Sequence, residues 1–145
     1  MDQLTQSYKE LVRNSWRLFS LSHRAWNEPM TEAGLSSSTF PLLECVVLRP
    51  GISQQEIADE LSMDKSVVSR GCRYLETEGF IRREKSLRVA HGFLCQPTEK
   101  GLKTCEEVLV KEQIKIQELF SGENPDCLIR ANRLMKHLLE QMLKE

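Results

Sequence analysis

The apolar positions at the start of the chain recur at steps of three and four residues, which is the spacing of one face of an α-helix. They predict a long first helix over about Thr5 to Trp26, ended by Pro29 and Gly34. This helix carries more apolar surface than a single helix needs. The apolar residues are Leu4, Tyr8, Leu11, Val12, Trp16, Leu18 and Phe19.

A second, shorter helix is predicted to begin after one of the serines at positions 36–38, because any of their hydroxyls can cap a helix. Pro41 then falls in or near the first turn, where the missing N–H of a proline is tolerated. Pro50 and Gly51 stop this helix. Its apolar face comprises Leu42, Leu43, Val46 and Val47.

Two more helices joined by a tight link are predicted in the middle of the chain. Ser53 and Glu56 form a capping box, in which each side chain satisfies one free backbone N–H at the start of a helix. After the link, Asp64 caps the next helix, which runs to about Thr77. Gly79 occupies the position expected of a glycine that ends a helix.

The periodicity changes after this glycine, because residues 80–97 mix β-favouring side chains with charges. They predict a short two-stranded hairpin that turns near residues 86–90. Thr98 caps a further helix, and Asn124 caps the last one with Pro125 at its first position. The predicted fold is mainly α with a small β-hairpin wing, a winged helix-turn-helix over residues 35–97 flanked by helical regions at 1–34 and 98–145.

The composition is that of an ordinary globular protein, with a net charge of −1 over 145 residues. No apolar stretch has the length of a membrane span and the N-terminus has no signal-peptide layout, so a cytoplasmic location is expected. No phosphate loop, nucleophile elbow, carboxylate pair or metal-ligand spacing is found. The sequence therefore predicts no enzyme activity, no cofactor and no metal.

The five cysteines are scattered and form no Cys-x-x-Cys pair, so small buried side chains in a reducing compartment are the favoured interpretation of each. A thiol sensor that uses Cys45, Cys72 or Cys105 remains open, because reactivity depends on a lowered thiol pKa. The other two cysteines are Cys95 and Cys127.

The second helix of the predicted helix-turn-helix has an apolar face and a polar, basic face. Val68, Cys72 and Leu75 recur at steps of three and four residues and point inward. Arginine can grip a guanine edge with two hydrogen bonds, and serine hydroxyls reach bases or phosphates, so the opposite face suits DNA. A helical hairpin with a solvated face also fits this segment alone. The outward residues are Lys65, Ser66, Ser69, Arg70 and Arg73.

The hairpin that follows is basic as well, which favours DNA over a merely solvated surface. Between positions 65 and 91 seven basic residues stand against three acidic ones, Glu76, Glu78 and Glu84. A basic hairpin directly after the helix-turn-helix is in the position of a wing, which touches the DNA backbone or minor groove. The basic residues of the expected wing, with its histidine, are Arg82, Arg83, Lys85, Arg88 and His91.

Four segments resemble the MarR family of winged helix-turn-helix regulators: residues 52–61 (ISQQEIADEL), 64–70 (DKSVVSR), 75–81 (LETEGFI) and 98–101 (TEKG). The resemblance extends over nearly the whole chain. It implies a homodimer whose residues 1–34 and 98–145 interlock, and which binds a pseudo-palindromic site in double-stranded DNA. It also implies a repressor that a small, often aromatic, ligand or a stress signal such as cysteine oxidation releases from DNA.

The helix-turn-helix, the basic wing and the flanking helices together indicate roles for particular residues. Ser66, Ser69, Arg70 and Arg73 are expected to read the major groove, and Arg88 and His91 to serve the wing. The family's Asp-Arg-Arg run in the wing aligns here with Val89-Ala90-His91, so its acidic residue is absent. The residues expected to position phosphates are Ser37, Ser38, Gln54 and Lys65.

The first helix supplies the candidate ligand site, because Trp16, His23 and Trp26 lie on it. Packing is the alternative role for the two tryptophans, and simple exposure for the histidine. The alternative function is a winged-helix module that binds another protein, which the near-neutral charge and the unusual wing favour. Gly71, inside the second helix of the helix-turn-helix, permits either close packing or bending.

Overall fold

The computed structural model describes residues 1–86 and 92–144, in which the chain forms six helices and three short strands. The chain divides into two compact units, Met1–Glu112 and Gln113–Glu145. Within the described ranges, no helix combines the length and apolarity needed to cross a membrane. The elements are α1 Gln3–Glu32, α2 Phe40–Leu48, β1 Ile52–Ser53, α3 Gln54–Leu61, α4 Lys65–Thr77, β2 Ile81–Lys85, β3 Phe93–Pro97, α5 Glu99–Leu119 and α6 Pro125–Met142.

The first helix is longer than its apolar pattern predicts, and the expectation that Pro29 ends it is wrong. The helix continues through this proline and ends where Gly34 adopts a φ of +74°. There the Leu35 N–H donates to the Met30 carbonyl at 2.8 Å and the Gly34 N–H to the Thr31 carbonyl at 3.0 Å, a Schellman motif. Met30 and Leu35 are both buried, so packing holds the final turn despite the proline.

The second helix begins one residue later than the predicted serine caps. The residue at its N-cap position is Thr39, whose side chain makes no capping hydrogen bond. The prediction that one of the serines at positions 36–38 caps this helix is therefore wrong. Ser36 instead closes the turn before the helix, where its hydroxyl accepts the Thr39 N–H at 3.2 Å and its carbonyl accepts the Phe40 N–H at 2.8 Å. Pro41 lies in the first helical turn, as predicted.

The sheet contains one strand more than the predicted hairpin. Its order is β1-β3-β2 and both pairings are antiparallel, with Ile52 opposite Cys95 and Arg83 opposite Cys95 on the other side. Strand β1 has two residues, and the second of them, Ser53, is also the residue that caps α3. A strand this short leaves no alternating pattern in the sequence.

One hydrophobic core joins α2, α3, α4, the sheet and the first half of α5 within the unit Met1–Glu112. Helices α2 and α4 approach closely at Gly71, which has no side chain, and an added Cβ there would collide with Cδ1 of Leu42. Of the two roles left open for this glycine, the structure therefore supports close packing. The side chains with almost no exposure are Leu42, Leu43, Val46, Ile57, Val68, Cys72, Leu75, Ile81, Cys95, Cys105 and Val108.

Large apolar faces remain exposed on the long helices. On α1 the side chain of Trp16 is 70% exposed, and Phe19 is also exposed. Helix α6, capped by the Asn124 side chain that accepts the Asp126 N–H at 2.9 Å, has no buried residue. The exposed apolar residues of α6 are Leu128, Ile129, Leu134, Leu139 and Met142.

Candidate nucleic-acid interface

Helix α4 presents the two faces that its sequence predicts. Val68, Cys72 and Leu75 are fully buried against the core. On the opposite face Ser69 is half-buried and the remaining polar residues are exposed. The core therefore fixes the rotation of α4 and so the direction of its polar face. The exposed residues of this face are Lys65, Ser66, Arg70 and Arg73.

The cations on this face are not neutralised within the part of the chain that the structure describes. There, the side chains of Lys65, Arg70 and Arg73 make neither a hydrogen bond nor an ion pair. The nearby carboxylate of Glu76 is already paired with Arg83. The face therefore offers positive charge and hydrogen-bond donors to a ligand outside the chain.

The start of α3 has the predicted capping box. The Ser53 N–H donates to Oε2 of Glu56 at 2.8 Å, and the Glu56 N–H donates to Oγ of Ser53 at 3.2 Å. Hydrogen bonds from the backbone and then the hydroxyl of Ser53 lower the pKa of Glu56. The two N–H groups of Ser53 and Glu56 are thus already hydrogen-bonded. The Glu56 carboxylate occupies the N-terminal end of α3, which is the end of a helix that can bind a phosphate.

Besides Lys65, three side chains near the starts of α2 and α3 are predicted to contact phosphates, and they differ in exposure. Ser38 is exposed and its hydroxyl lies 2.9 Å from that of Ser36, whereas Ser37 is half-buried. Gln54 is half-buried as well, and its Nε2 atom is buried without a hydrogen-bond partner among the described residues. Of the three, Ser38 is the most accessible from outside.

One arginine of the predicted basic wing does not face solvent. Nε of Arg83 donates to Oε2 of Glu76 at 2.7 Å, and the Arg83 N–H donates to Oε1 of the same carboxylate at 3.3 Å. Its guanidinium carbon also lies 4.9 Å from the centre of the Phe93 ring. The expectation that Arg83 belongs to the DNA-facing wing is therefore wrong, because the strand register turns it toward α4.

Two other basic residues of the predicted wing, Arg82 and Lys85, are exposed on β2. The other two wing candidates, Arg88 and His91, lie outside the described residues. The sequence contains one feature consistent with this ion pair, an acid at position 76 followed by a base at position 83. That signal is too common to be decisive without the sheet register.

Two of the candidate ligand residues on α1, Trp16 and His23, lie with Phe19 in an exposed row. The rings of Trp16 and Phe19 are 6.2 Å apart between centroids, and those of Phe19 and His23 are 6.1 Å apart. His23 is exposed. Trp26 lies on the same helix, and its side chain is outside the described part of the chain.

A cleft of about 400 Å³ lies at the C-terminal end of α1, and no pattern in the sequence indicates it. The Tyr74 hydroxyl at the end of α4 donates to the Gly34 carbonyl at 2.6 Å and forms one wall. The cleft therefore links the end of α1 to the helix that carries the basic face. Its lining residues are Thr31, Gly34, Leu35, Ser36, Thr39 and Tyr74.

The cysteines are buried as predicted, except Cys127, which is exposed. Burial raises the pKa of Cys45 and of Cys105 to about 11, which disfavours both as reactive thiolates. Among the described residues, no group of three or more metal-binding side chains is found.

Similarity to known proteins agrees with this geometry. Residues 33–88 match a family model described as MarR family. The uncharacterized HTH-type transcriptional regulator YkoM of Bacillus subtilis is 25% identical over 121 residues, which are 81% of this chain and 79% of that protein.

Two solved structures share the fold at low identity. Staphylococcus aureus MarR in complex with salicylate and kanamycin has a TM-score of 0.83 at 16% identity, and the alignment covers 99% of this chain and 97% of the other. CouR from Rhodococcus jostii RHA1 bound to p-coumaroyl-CoA has a TM-score of 0.74 at 19% identity, with coverages of 84% and 86%.

The helix pair α3–α4, followed by the β2–β3 hairpin and fixed on one core, defines a winged helix-turn-helix protein. Over residues 33–88 the chain is therefore similar to the MarR family, and its fold is that of the solved MarR structure.

Proposed function

We propose that this protein is a homodimeric repressor that binds a pseudo-palindromic DNA site in the cytoplasm and is released by a small ligand. The observation that carries the proposal is the exposed cationic face of α4, which has no partner among the described residues and whose direction is fixed by the buried face behind it. A helix of this kind beside a two-stranded wing is the arrangement that enters a major groove.

The proposed contacts follow from side-chain chemistry. Arg70 and Arg73 can each bond a guanine edge through two donors, and Ser66 and Ser69 can reach neighbouring bases. Lys65 at the start of α4 is suited to a phosphate, because a flexible ammonium acts as a point charge. The other proposed phosphate contacts are Ser37, Ser38 and Gln54, and the proposed wing contacts are Arg88 and His91.

The second copy in the dimer is proposed to cover the apolar faces of α1 and α6. Exposed apolar side chains, such as Trp16 and Phe19 on α1 and Leu134 on α6, leave on each of these helices an apolar face that a monomer in water does not ordinarily expose. The helical regions at residues 1–34 and 98–145 would then form the dimerisation region. Two copies of α4 related by a twofold axis match the symmetry of a palindromic site.

The proposed ligand is an aromatic acid or a related small molecule. Support comes from two proteins of the same fold, one solved with salicylate and one with p-coumaroyl-CoA. Trp16, His23 and Trp26 are the proposed contacts on α1. The cleft beside Tyr74 is a second candidate, since its volume of about 400 Å³ lies in the range of small-molecule sites.

The test is a titration of the purified protein with DNA from the region upstream of its own gene, at several salt concentrations. We expect selective binding of one dimer per site and a steep fall in affinity with salt, because each neutralised phosphate releases counterions. Sedimentation velocity gives the oligomeric state separately. Affinity equal to that for random DNA, followed by failure of a genome-wide site selection, would favour the protein-binding module instead.

Replacement of Arg70 by alanine is expected to cost about 1–3 kcal/mol of binding free energy at the cognate site and to relax the base preference there. The reason is the loss of a bidentate contact with a base edge. Fluorescence anisotropy with the cognate duplex and with single-base variants measures both effects. Lys103→Ala, at an exposed position of α5, is the matched control. Unchanged affinity and base preference would remove Arg70 from base reading.

A further inference from the structure

One side chain of α4 is hydrogen-bonded to the end of α1. The Tyr74 hydroxyl, in the last turn of α4, donates to the Gly34 carbonyl at 2.6 Å. Gly34 belongs to the turn that ends α1, and its φ is +74°. The bond therefore joins two parts of the chain whose contacting residues are 40 positions apart. Both parts belong to the compact unit Met1–Glu112.

The carbonyl that accepts this bond is held in place by the turn around it. The Leu35 N–H donates to the Met30 carbonyl at 2.8 Å, and the Gly34 N–H donates to the Thr31 carbonyl at 3.0 Å. Met30 and Leu35 are both buried in the core. Since a glycine adopts a positive φ without steric cost, the turn is unstrained. Tyr74 is thus bonded to a fixed point at the end of α1.

Two polar side chains in the last turn of α4 reach other elements. Glu76 pairs with Arg83 on β2, and Tyr74 bonds Gly34. A third polar side chain in this turn stays within the helix, since the Thr77 hydroxyl donates to the carbonyl four residues earlier at 2.9 Å. One turn of α4 is therefore bonded both to the wing and to the end of α1.

The Tyr74 bond defines an angle that apolar packing leaves less sharply defined. The buried face of α4 is held by the hydrophobic effect, which is non-directional, whereas a hydrogen bond weakens steeply as its angle departs from linear. The bond lies near the surface, because Tyr74 is 41% exposed and Gly34 is exposed. Water can therefore satisfy the carbonyl when the hydroxyl is removed. We expect such a change to loosen α4 against α1 without unfolding the protein.

We propose that Tyr74 is a positioning residue, which fixes α4 against α1 and thereby sets the half-site spacing that the dimer prefers on DNA. This inference rests on the proposed function, in which α1 lies in the dimerisation region and α4 enters the major groove. In a twofold dimer, the separation of the two α4 helices depends on how each is held to the α1 of its own chain. Half-sites of such dimers lie about one helical turn apart, or about 34–36 Å. Tyr74 would then contribute to specificity without contacting a base.

The experiment compares the full-length parent with Tyr74→Phe, which removes only the hydroxyl. The probes are the duplex selected from the upstream region and derivatives with one or two base pairs inserted or deleted between the half-sites. Each such base pair turns one half-site by roughly a tenth of a turn relative to the other. By fluorescence anisotropy, we expect the parent to lose affinity steeply as the spacing changes. We expect the loss for Tyr74→Phe to be roughly tenfold smaller, a size typical of coupling between sites.

A structural defect alone gives a different result, because it weakens binding to all of these duplexes by the same factor. Thr77→Val is the matched control, since it removes a hydroxyl from the same turn of α4 whose hydrogen bond stays within the helix. We expect this control to keep the spacing preference of the parent. An unchanged preference in Tyr74→Phe, or an equal change in Thr77→Val, overturns the proposal.

Hydrogen exchange tests the bond without DNA. We expect Tyr74→Phe to exchange the amides of Gly34 and Leu35 faster than the parent, because the turn opens more often when its carbonyl is released. Equal exchange rates in the two proteins would overturn the positioning role. If the parent binds no DNA selectively, the proposed function fails and the spacing role fails with it. Faster exchange at Leu35 would then still show that Tyr74 holds the end of α1.

Discussion

A Gly101→Ala variant is expected to lose about 3 kcal/mol of unfolding free energy, the upper part of the usual cost of overpacking. A Cβ at this position would collide with the carbonyl oxygen of Phe80, which is a backbone atom and cannot rotate away. That carbonyl is also held in place, since it accepts the Thr98 N–H and the Thr98 hydroxyl, each at 3.0 Å. The first turn of α5 would have to move off the start of β2.

Helix propensity makes the result diagnostic, because alanine inside a helix is favoured over glycine by about 1 kcal/mol. A measured loss in urea denaturation must therefore come from the collision. Gly71→Ala is the matched comparison, since its Cβ meets the flexible end of Leu42 rather than backbone. We expect it to destabilise less. A Gly101→Ala protein as stable as the parent would contradict the close approach of α5 to Phe80.

The parts of the fold that the sequence predicts well are those that local chemistry decides. The capping box of Ser53 and Glu56 and the cap of Asn124 each involve residues within three positions of one another. Thr98 is similar, because its hydroxyl accepts the Gly101 N–H at 3.0 Å. Asp64 occupies the N-cap position of α4, as predicted, but its side chain makes no capping hydrogen bond. The residue type therefore predicts where the helix begins and does not predict the hydrogen bond.

The parts that the sequence could not predict depend on distant contacts. Pro29 stays within α1 because the residues after it pack into the core, and nothing near the proline indicates this. Strand β1 exists only through its pairing with β3, which begins about forty positions later. Local propensity is a weak guide wherever tertiary packing decides the outcome.

The residues of the candidate DNA-binding site also differ in whether local sequence or distant contacts decide their positions. The outward direction of Arg70 and Arg73 follows from the period of α4, so the sequence alone places them. The inward turn of Arg83 follows from the sheet register and from its pairing with Glu76 on α4. Its signal in the sequence, an acid at position 76 before a base at position 83, is too common to decide it.

An Arg83→Ala variant is expected to lose about 2 kcal/mol of unfolding free energy, because it leaves a partly buried carboxylate without its charged partner. Arg83 is only 14% exposed, and its removal also ends the contact with the Phe93 ring. The exposed neighbour Arg82 supplies the matched control, and Arg82→Ala is expected to change stability little. A double-mutant cycle with Glu76→Ala separates the pair from the loss of packing.

The pH dependence of stability gives an independent check on the same pair. Hydrogen bonds from Arg83 lower the pKa of Glu76 below its reference value of 4.5. A carboxyl with a lowered folded-state pKa stabilises the protein fully above its unfolded pKa, and this contribution is lost as the pH falls through the folded value. The stability of the parent should therefore fall more steeply below pH 4.5 than that of Arg83→Ala. Parallel curves in urea titrations over that acidic range would show that the Arg83 side chain does not stabilise the ionised Glu76.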